Sequence, residues 1–361
     1  MTDHPYLAQL HQQACELLQQ LIATPSLSRE EGATADLIAA FLAGQGVPAR
    51  RKGHNVWAQN AYAREQQPLI LLNSHHDTVR PGQGWESDPF TPTLQGDRLT
   101  GLGSNDAGGP LVALLATFLY FYKRRDLPFR LVMAATAEEE ISGKHGVASI
   151  LPELGPVHLG VVGEPTGMQM AIAEKGLMVL DVTARGRTGH AARNEGLNAI
   201  YEALPDIEWL RTYRFDKVSP LLGEVKMTVT QIQAGTQHNV VPDNCTFVVD
   251  VRSTEQYTNR ELFDLIAQHL KSEVKARSFR LNSSGISLRH PIVQRGLQLG
   301  LSYFGSPTLS DQALMPFTTL KIGPGDSARS HTPNEYILLS EIRQGIETYI
   351  QLLEGLELEE G

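Results

Sequence analysis

The sequence predicts an α/β protein: a mixed, largely parallel sheet with flanking helices, plus an inserted, smaller α+β domain. Three observations carry that prediction. In the first half of the chain, short apolar runs alternate with helical periodicity. After about Lys175 the strand-like runs partly alternate apolar with polar residues, as in half-exposed strands. From about residue 287 the first pattern returns, so a discontinuous domain (1–175 and 287–361) encloses an insertion (176–286).

Leu7, Leu10, Ala14, Leu17, Leu18 and Leu21 recur at helical spacing and predict a helix over Tyr6–Ile22, closed by Pro25. Ser28 with Glu31 reads as a capping box for a second helix that stops near Gly44 and Gly46. Leu69–Asn73, Phe129–Thr136 and Val157–Val162 read as buried strands, with a helix over Gly109–Tyr122 between the first two. In the insertion, Val179–Ala184, Val225–Ile232 and Thr246–Val251 read as strands. Cys245, Phe247, Val249 and Val251 fall on one face of the last, Asp250 and Arg252 on the other. A helical stretch over Gly196–Trp209 is expected to break at Pro205. Thr258 and Glu261 box the start of a helix over Asn259–Leu270. A helix (Pro291–Leu301), a strand (Phe317–Ile322) and a final helix (Ser340–Leu353) follow, with a solvated tail from Glu354.

Of the 361 residues 41% are apolar and 20% charged, enough to build a full core. A formal charge of −9 argues against nucleic acid or an anionic membrane surface as partner. Two cysteines, Cys15 and Cys245, exclude a disulfide framework and a four-cysteine zinc site, and suit a reducing cytosol. Met1–Pro5 lacks the basic and apolar stretches of a signal peptide. The greasiest run, Leu111–Tyr122, is shorter than the roughly 20 residues a membrane helix needs. A cytoplasmic protein with no membrane span is expected.

Ligands of α/β sheets gather at the carboxyl ends of strands, and polar groups cluster there. The first strand runs into Ser74-His75-His76-Asp77. Residues two apart in extended chain share a face, so His75 and Asp77 can touch, and a carboxylate on one imidazole nitrogen leaves the other free for a metal. The Gly-rich stretch Gly101-Leu102-Gly103-Ser104-Asn105-Asp106 opens a helix, but an acid at Asp106 would repel a pyrophosphate; a cation is its natural partner. Glu138-Glu139-Glu140 ends the next strand and Glu164 the third, and such clustering of acids is costly without a cation. The loop Gly323 to His331 supplies a second imidazole. Two imidazoles with at least three carboxylates suit zinc or a similar divalent ion. Asp106, Glu140 and Glu164, with one hydroxide, balance two such ions; one ion would leave negative charge buried.

Six segments in this order resemble the dimetal (zinc) aminoacylase, acetylornithine deacetylase and succinyl-diaminopimelate desuccinylase family, its acetylornithine deacetylase-like members above all. They are Ser-His-x-Asp-Thr-Val, Gly-x-Gly-Ser-x-Asp, Glu-Glu, Gly-Glu-Pro-Thr, Gly-x-x-Gly-His and Ser-His-x-Pro-x-Glu. The resemblance implies a catalytic domain holding two divalent ions, zinc expected and cobalt the alternative, and an inserted lid domain that makes a homodimer. By position, it implies that Asp106 bridges the ions, His75 and Glu164 hold one, and Glu140 and His331 the other. Asp77 would orient His75, Glu139 would be the general base, and His190 would stabilise the oxyanion in the partner subunit's site. Asn239 and Arg252 would contact the substrate. One position departs: many members carry Lys or Arg two residues after the bridging Asp, where this chain has Gly108.

The implied reaction is hydrolysis of the N-acyl amide of a small amino acid: N-acetylornithine to ornithine and acetate, in arginine biosynthesis. N-succinylornithine, N-acetylcitrulline, N-succinyl-diaminopimelate or a dipeptide are the alternatives. An acidic acyl tail would want a cation, for which Arg80, Lys144, Lys175 and Arg329 are candidates. Of other classes, a serine hydrolase built on Ser327 lacks the second glycine of a nucleophile elbow. A non-catalytic metal-dependent binding protein would most simply have lost the base or a ligand, and all are present.

Overall fold

A computed structural model describes residues 5–358. The chain forms two compact units: one runs up to Ile172 and adds Ile286–Phe304 and the residues from Ser310, and the other comprises Ala173–Gly285 and Gly305–Leu309.

The first unit begins with helices α1 (Pro5–Ile22) and α2 (Gly32–Gly44), then strands β1 (Arg50–Lys52), β2 (Asn55–Gln59), β3 (Leu69–His75), β4 (Thr93–Gln95) and β5 (Arg98–Thr100). It continues with α3 (Gly109–Tyr122), β6 (Arg130–Thr136), α4 (Val147–Leu154), β7 (Leu159–Val162) and β8 (Met170–Glu174), whose end enters the second unit. The second unit holds β9 (Met178–Arg185), α5 (Ala199–Thr212), β10 (Lys226–Ala234), β11 (Asn244–Arg252), α6 (Asn259–His269), β12 (Glu273–Ala276) and β13 (Ser284–Gly285). The chain ends with α7 (Pro291–Gln298), β14 (Tyr303–Ser306), β15 (Thr319–Lys321), β16 (Tyr336–Leu338) and α8 (Leu339–Leu353).

The first unit's main sheet runs β1-β2-β6-β3-β7-β15-β8. Its four central strands are parallel, with antiparallel pairs on either flank. The parallel register pairs His75 with Thr136 and Asn73 with Val162, so the carboxyl ends of β3, β6 and β7 emerge together. Helix α3 is apolar nearly all round and buried along its length, as a helix packed on every side must be. It lies against α1 and α8. Strands β16, β5 and β4 form a small separate sheet.

In the second unit the sheet order is β10-β11-β9-β12, all antiparallel, and the buried face of β11 is Cys245, Phe247, Val249 and Val251. The Thr258–Glu261 capping box forms as expected. Pro205 does not break its helix. It sits inside α5, which starts at Ala199 behind an Asn198 cap; burial of Ala199, Ala203 and Leu210 outweighs one lost backbone bond.

Two further local expectations fail for tertiary reasons. Ser28 and Glu31 make no capping box: Ser28 Oγ donates to Asp77, and the Glu31 carboxylate accepts from the backbone of Arg29 and Glu138. The chain after Glu354 is not all solvated, because Glu354 pairs with Arg124 and Leu356 is buried in the core; residues 359–361 of that stretch, like residues 1–4, lie outside the described residues. Among the described residues no helix is long and apolar enough to cross a membrane.

Phe118 is wholly buried on α3. Phe118→Ala is expected to cost about 3–5 kcal/mol of stability, against less than about 0.5 kcal/mol for Leu94→Ala on exposed β4. Urea unfolding followed by circular dichroism measures both.

Candidate metal centre

Three parallel strands deliver the acids and one imidazole. β3 ends at His75, followed by His76 and Asp77; β6 runs into Glu138–Glu140; β7 runs through Gly163 into Glu164. Beyond β15, a loop returns His331 to the same edge. Asp106 comes from an irregular turn over Ser104–Gly108, entered through Gly103 at φ 73°. A left-handed residue there reverses the chain just before the helix, and glycine accepts it without strain.

Asp106 stands at the centre. Its Oδ1 lies 3.2 Å from His75 Nε2 and its Oδ2 3.6 Å from His331 Nε2. Around His75 Nε2 stand Glu164 at 3.8 Å and Glu139 at 3.9 Å. Around His331 Nε2 stand the two Glu140 oxygens at 3.0 and 3.2 Å. Among the described residues, two groups of three donors close to within 4.8 Å: His75, Asp106 and Glu140, and His75, Glu139 and Glu164. His75 is buried, whereas the His331 side chain is 53% exposed.

Electrostatics test whether a cation fits. Burial pushes Glu139 well above its usual range, with Glu164, Asp311 and Glu140 adding repulsion. Burial likewise raises Glu140, helped by Asp106, and raises Glu164 to about 8. The hydrogen bond to Glu140 lifts His331 to about 9. Burial opposes charge on His75, yet its bonds to Asp106 and Asp77 prevail and raise it well above normal. Asp106 and Asp77 go the other way: burial opposes their charge, but the bonds to His75 prevail and hold both carboxyls below the usual range. The three glutamates and two imidazoles shift upward together, so these groups take up protons to offset buried negative charge. Divalent ions satisfy the same demand, and the two Nε2 atoms with the Asp106, Glu140 and Glu164 carboxylates are a zinc-type donor set. The residues fit two ions.

Backbone hydrogen bonds to buried carboxylates hold the loops that carry these side chains. Asp77 accepts from the backbone N–H of Glu139 (3.0 Å) and Glu140 (3.2 Å) and from Ser28 Oγ (2.7 Å). Glu31 accepts from the N–H of Glu138, which sits at φ 56°. Glu335, in the terminal motif but given no role from sequence, accepts from the N–H groups of Gly103, Asn105 and Asp106. Asp77 therefore does more than orient His75. The His75 Nδ1–H donates to the Asp77 backbone carbonyl at 2.9 Å, and the carboxylate stands farther off, at 3.5 Å. That donation leaves Nε2 free to face Asp106. His76 turns away, its Nε2–H donating to the His54 carbonyl.

Sequence reasoning also missed Lys321 and Asp311. Lys321 is a buried cation on β15 whose charge opposes the rise of Glu164; Asp311 accepts from Thr136 Oγ1 and adds repulsion at Glu139. A lysine inside the apolar run Leu320-Lys321-Ile322 was the available signal. Gly108 has a steric cause: a Cβ there would collide with the Gly103 carbonyl and Leu18. Of the candidate cations for an acyl tail, Arg329 is committed to Glu341 by two bonds, at 2.7 and 3.0 Å.

His190, Asn239 and Arg252 belong to the second unit. His190 and Asn239 are exposed on facing segments, joined where Ala191 N–H donates to the Asn239 carbonyl and His190 bridges Val240. Arg252, half-buried at the end of β11, makes two bonds to Asp250 (2.8 and 3.1 Å). Lys175 lies near it: burial, then Lys226 and Arg252, pushes the Lys175 amine below its usual range.

Asp77→Ala removes the anchor of two adjacent acids. It is expected to weaken divalent-ion binding by about 10–100-fold, measured by competition with a chromophoric chelator.

Residues 71–355 match the model of Peptidase family M20/M25/M40. The acetylornithine deacetylase of Proteus mirabilis (strain HI4320) is 29% identical, over 96% of this chain and 97% of its own length. The succinyl-diaminopimelate desuccinylase of Delftia acidovorans (strain DSM 14801 / SPH-1) is 26% identical, over 68% of this chain and 70% of its own. Among solved structures, the aminopeptidase PepT of Bacillus cereus superposes with a TM-score of 0.75 at 17% identity, covering 95% of this chain and 98% of its own. The YXEP protein of Bacillus subtilis, described as a dinuclear metal binding peptidase, does so with a TM-score of 0.75 at 17% identity, covering 96% and 98%. With its strand-end acids and paired imidazoles, the chain belongs to Peptidase family M20/M25/M40.

Proposed function

We propose that this member of the family removes the acyl group from a small N-acyl amino acid, with N-acetylornithine as substrate and ornithine and acetate as products, a step of arginine biosynthesis. The observation that carries this reading is Asp106, whose two oxygens face two separate imidazoles, His75 and His331. That is the arrangement of a carboxylate shared between two ions. His75 and Glu164 would hold one ion and Glu140 with His331 the other, zinc first and cobalt as alternative. When bound, the ions would polarise the amide carbonyl and acidify a water.

The chain's own residues do the rest. Glu139 lies beside His75, on the turn that Asp77 anchors. Its carboxylate takes the proton of the attacking water and returns it to the leaving nitrogen. His190 donates to the developing oxyanion. Asn239 contacts the substrate and Arg252 its carboxylate, for which a guanidinium offers a two-point match. We assign catalysis to residues 1–175 and 287–361 and the lid to 176–286. A second reading, an N-succinyl amino acid, draws support from Lys175, which has Lys226 and Arg252 near it within the second unit, a group of basic side chains that suits an additional carboxylate. Two free, buried cysteines fit the cytoplasm.

A homodimer through the second unit is part of the proposal. β10 is an edge strand, and an open edge invites pairing. Ile232 on that strand and Tyr201 and Leu204 on α5 are exposed.

Glu139→Gln is expected to keep its metal content while turnover falls by about 10²–10⁴-fold; near wild-type turnover overturns the assignment. A panel of acetyl- and succinyl-ornithine, acetylcitrulline, succinyl-diaminopimelate and dipeptides, with metal supplied, tests the substrate. Ile232→Lys is expected to shift a dimer to monomer in sedimentation velocity, and a wild-type chain that sediments as a monomer removes the dimer from the proposal.

A further inference from the structure

His331 is the ligand with the least packing of its own: its side chain is half exposed and its backbone stands at φ 58°. Something else must hold it near Asp106. The segment that carries it is bonded to the Asp106 turn on both sides. On the N-terminal side, Asp326 N–H donates to Asn105 Oδ1 (2.9 Å), and Asn105 Nδ2 donates back to the Asp326 carbonyl (3.0 Å). On the C-terminal side, the Glu335 carboxylate accepts from Gly103 N–H (2.9 Å), Asn105 N–H (2.9 Å) and Asp106 N–H (2.8 Å). Gly101 N–H adds a bond to the Glu335 carbonyl at 3.0 Å.

The chemistry of each partner suits the task. A carboxamide offers both an acceptor and a donor, on separate atoms, to one residue's N–H and C=O. Asn105 is fully buried, so those bonds face no competition from solvent. A Cβ on Gly325, at φ 90°, would run into Asn105 Oδ1, so the glycine makes room for the bridge. Glu335 is buried too, and only an acceptor-rich group can take three converging backbone donors.

We propose that Asn105 and Glu335 are positioning residues which staple both ends of the His331 segment to the Asp106 turn and so set the affinity for the ion that Asp106, Glu140 and His331 share. The inference rests on the two-ion reading above and extends it. It separates two classes of site residue: those that touch an ion, and those that fix the distance between two that do. The other ion shares Asp106 with this one, but its remaining ligands, His75 and Glu164, stand on strand ends that neither staple touches.

Zinc and cobalt titrations, by competition with a chromophoric chelator, test it on wild type, Asn105→Ala and Glu335→Gln, with thermal midpoints recorded metal-free. Asn60→Ala serves as control, since Asn60 is also a buried side chain that accepts a backbone N–H, from Leu131, away from the centre. The wild type is expected to bind two ions. Each variant is expected to lose about 10–100-fold in affinity for one ion and clearly less for the other, with a change in the cobalt absorption of the first, while Asn60→Ala keeps both affinities at any loss of stability. Wild-type affinity for both ions in Asn105→Ala and Glu335→Gln overturns the inference and leaves the two-ion reading standing. So does an equal loss of both ions, or the same loss in Asn60→Ala. A wild-type chain that binds fewer than two ions brings down the two-ion reading itself, and the staple with it.

Discussion

Asp106 points one oxygen at His75 and the other at His331, and the surrounding structure serves to make that possible. Four further acids, Glu139, Glu140, Glu164 and Asp311, press on the same space. Gathering so much negative charge out of water opposes folding unless something positive compensates. Two imidazoles and the buried Lys321 compensate in part. Protons complete the balance when no ion is bound, and divalent ions complete it better. The same repulsion that makes the cluster costly favours a cation there.

The cluster persists because its loops are tied down by other carboxylates that never face it as ligands. Glu31, Asp77 and Glu335 each accept backbone N–H groups from a turn that borders the cluster. A carboxylate is well suited here because an ionised one has only acceptor sites and can take several backbone donors at once. The acids of this region thus divide into two sets, one exposing oxygens to the centre and one spending them on the backbone. Composition alone does not separate the sets; the direction of each hydrogen bond does.

Much of the centre was legible in the chain. Apolar runs that end in His75, Glu138–Glu140 and Glu164 mark strand ends in an α/β sheet, and acids are conspicuous there. The parallel pairing of β3 with β6 and β7 then brings those ends together. Less legible were the bonds between distant segments. Ser28 and Glu31 satisfy a local capping pattern, yet both side chains turn to partners far along the chain, Asp77 and Glu138. Pro205 satisfies a helix-breaking pattern, yet its helix persists because the buried face holds it. Local rules fail at these sites because tertiary partners outbid local ones.

Residue order by itself determined the alternation of strand and helix, the inserted segment of partly alternating strands and the kinds of side chain at each strand end. These follow from periodicity and from the chemistry of single residues, which need no partner to be read. Only the tertiary structure decided which oxygen meets which nitrogen. It set Asp106 between two imidazoles, gave Asp77 to the backbone of Glu139 and Glu140, and tied Asn105 to Asp326 and Glu335 to the Asp106 turn. Such bonds join positions dozens to hundreds of residues apart, and their geometry depends on a few tenths of an ångström that only the closed, packed chain defines.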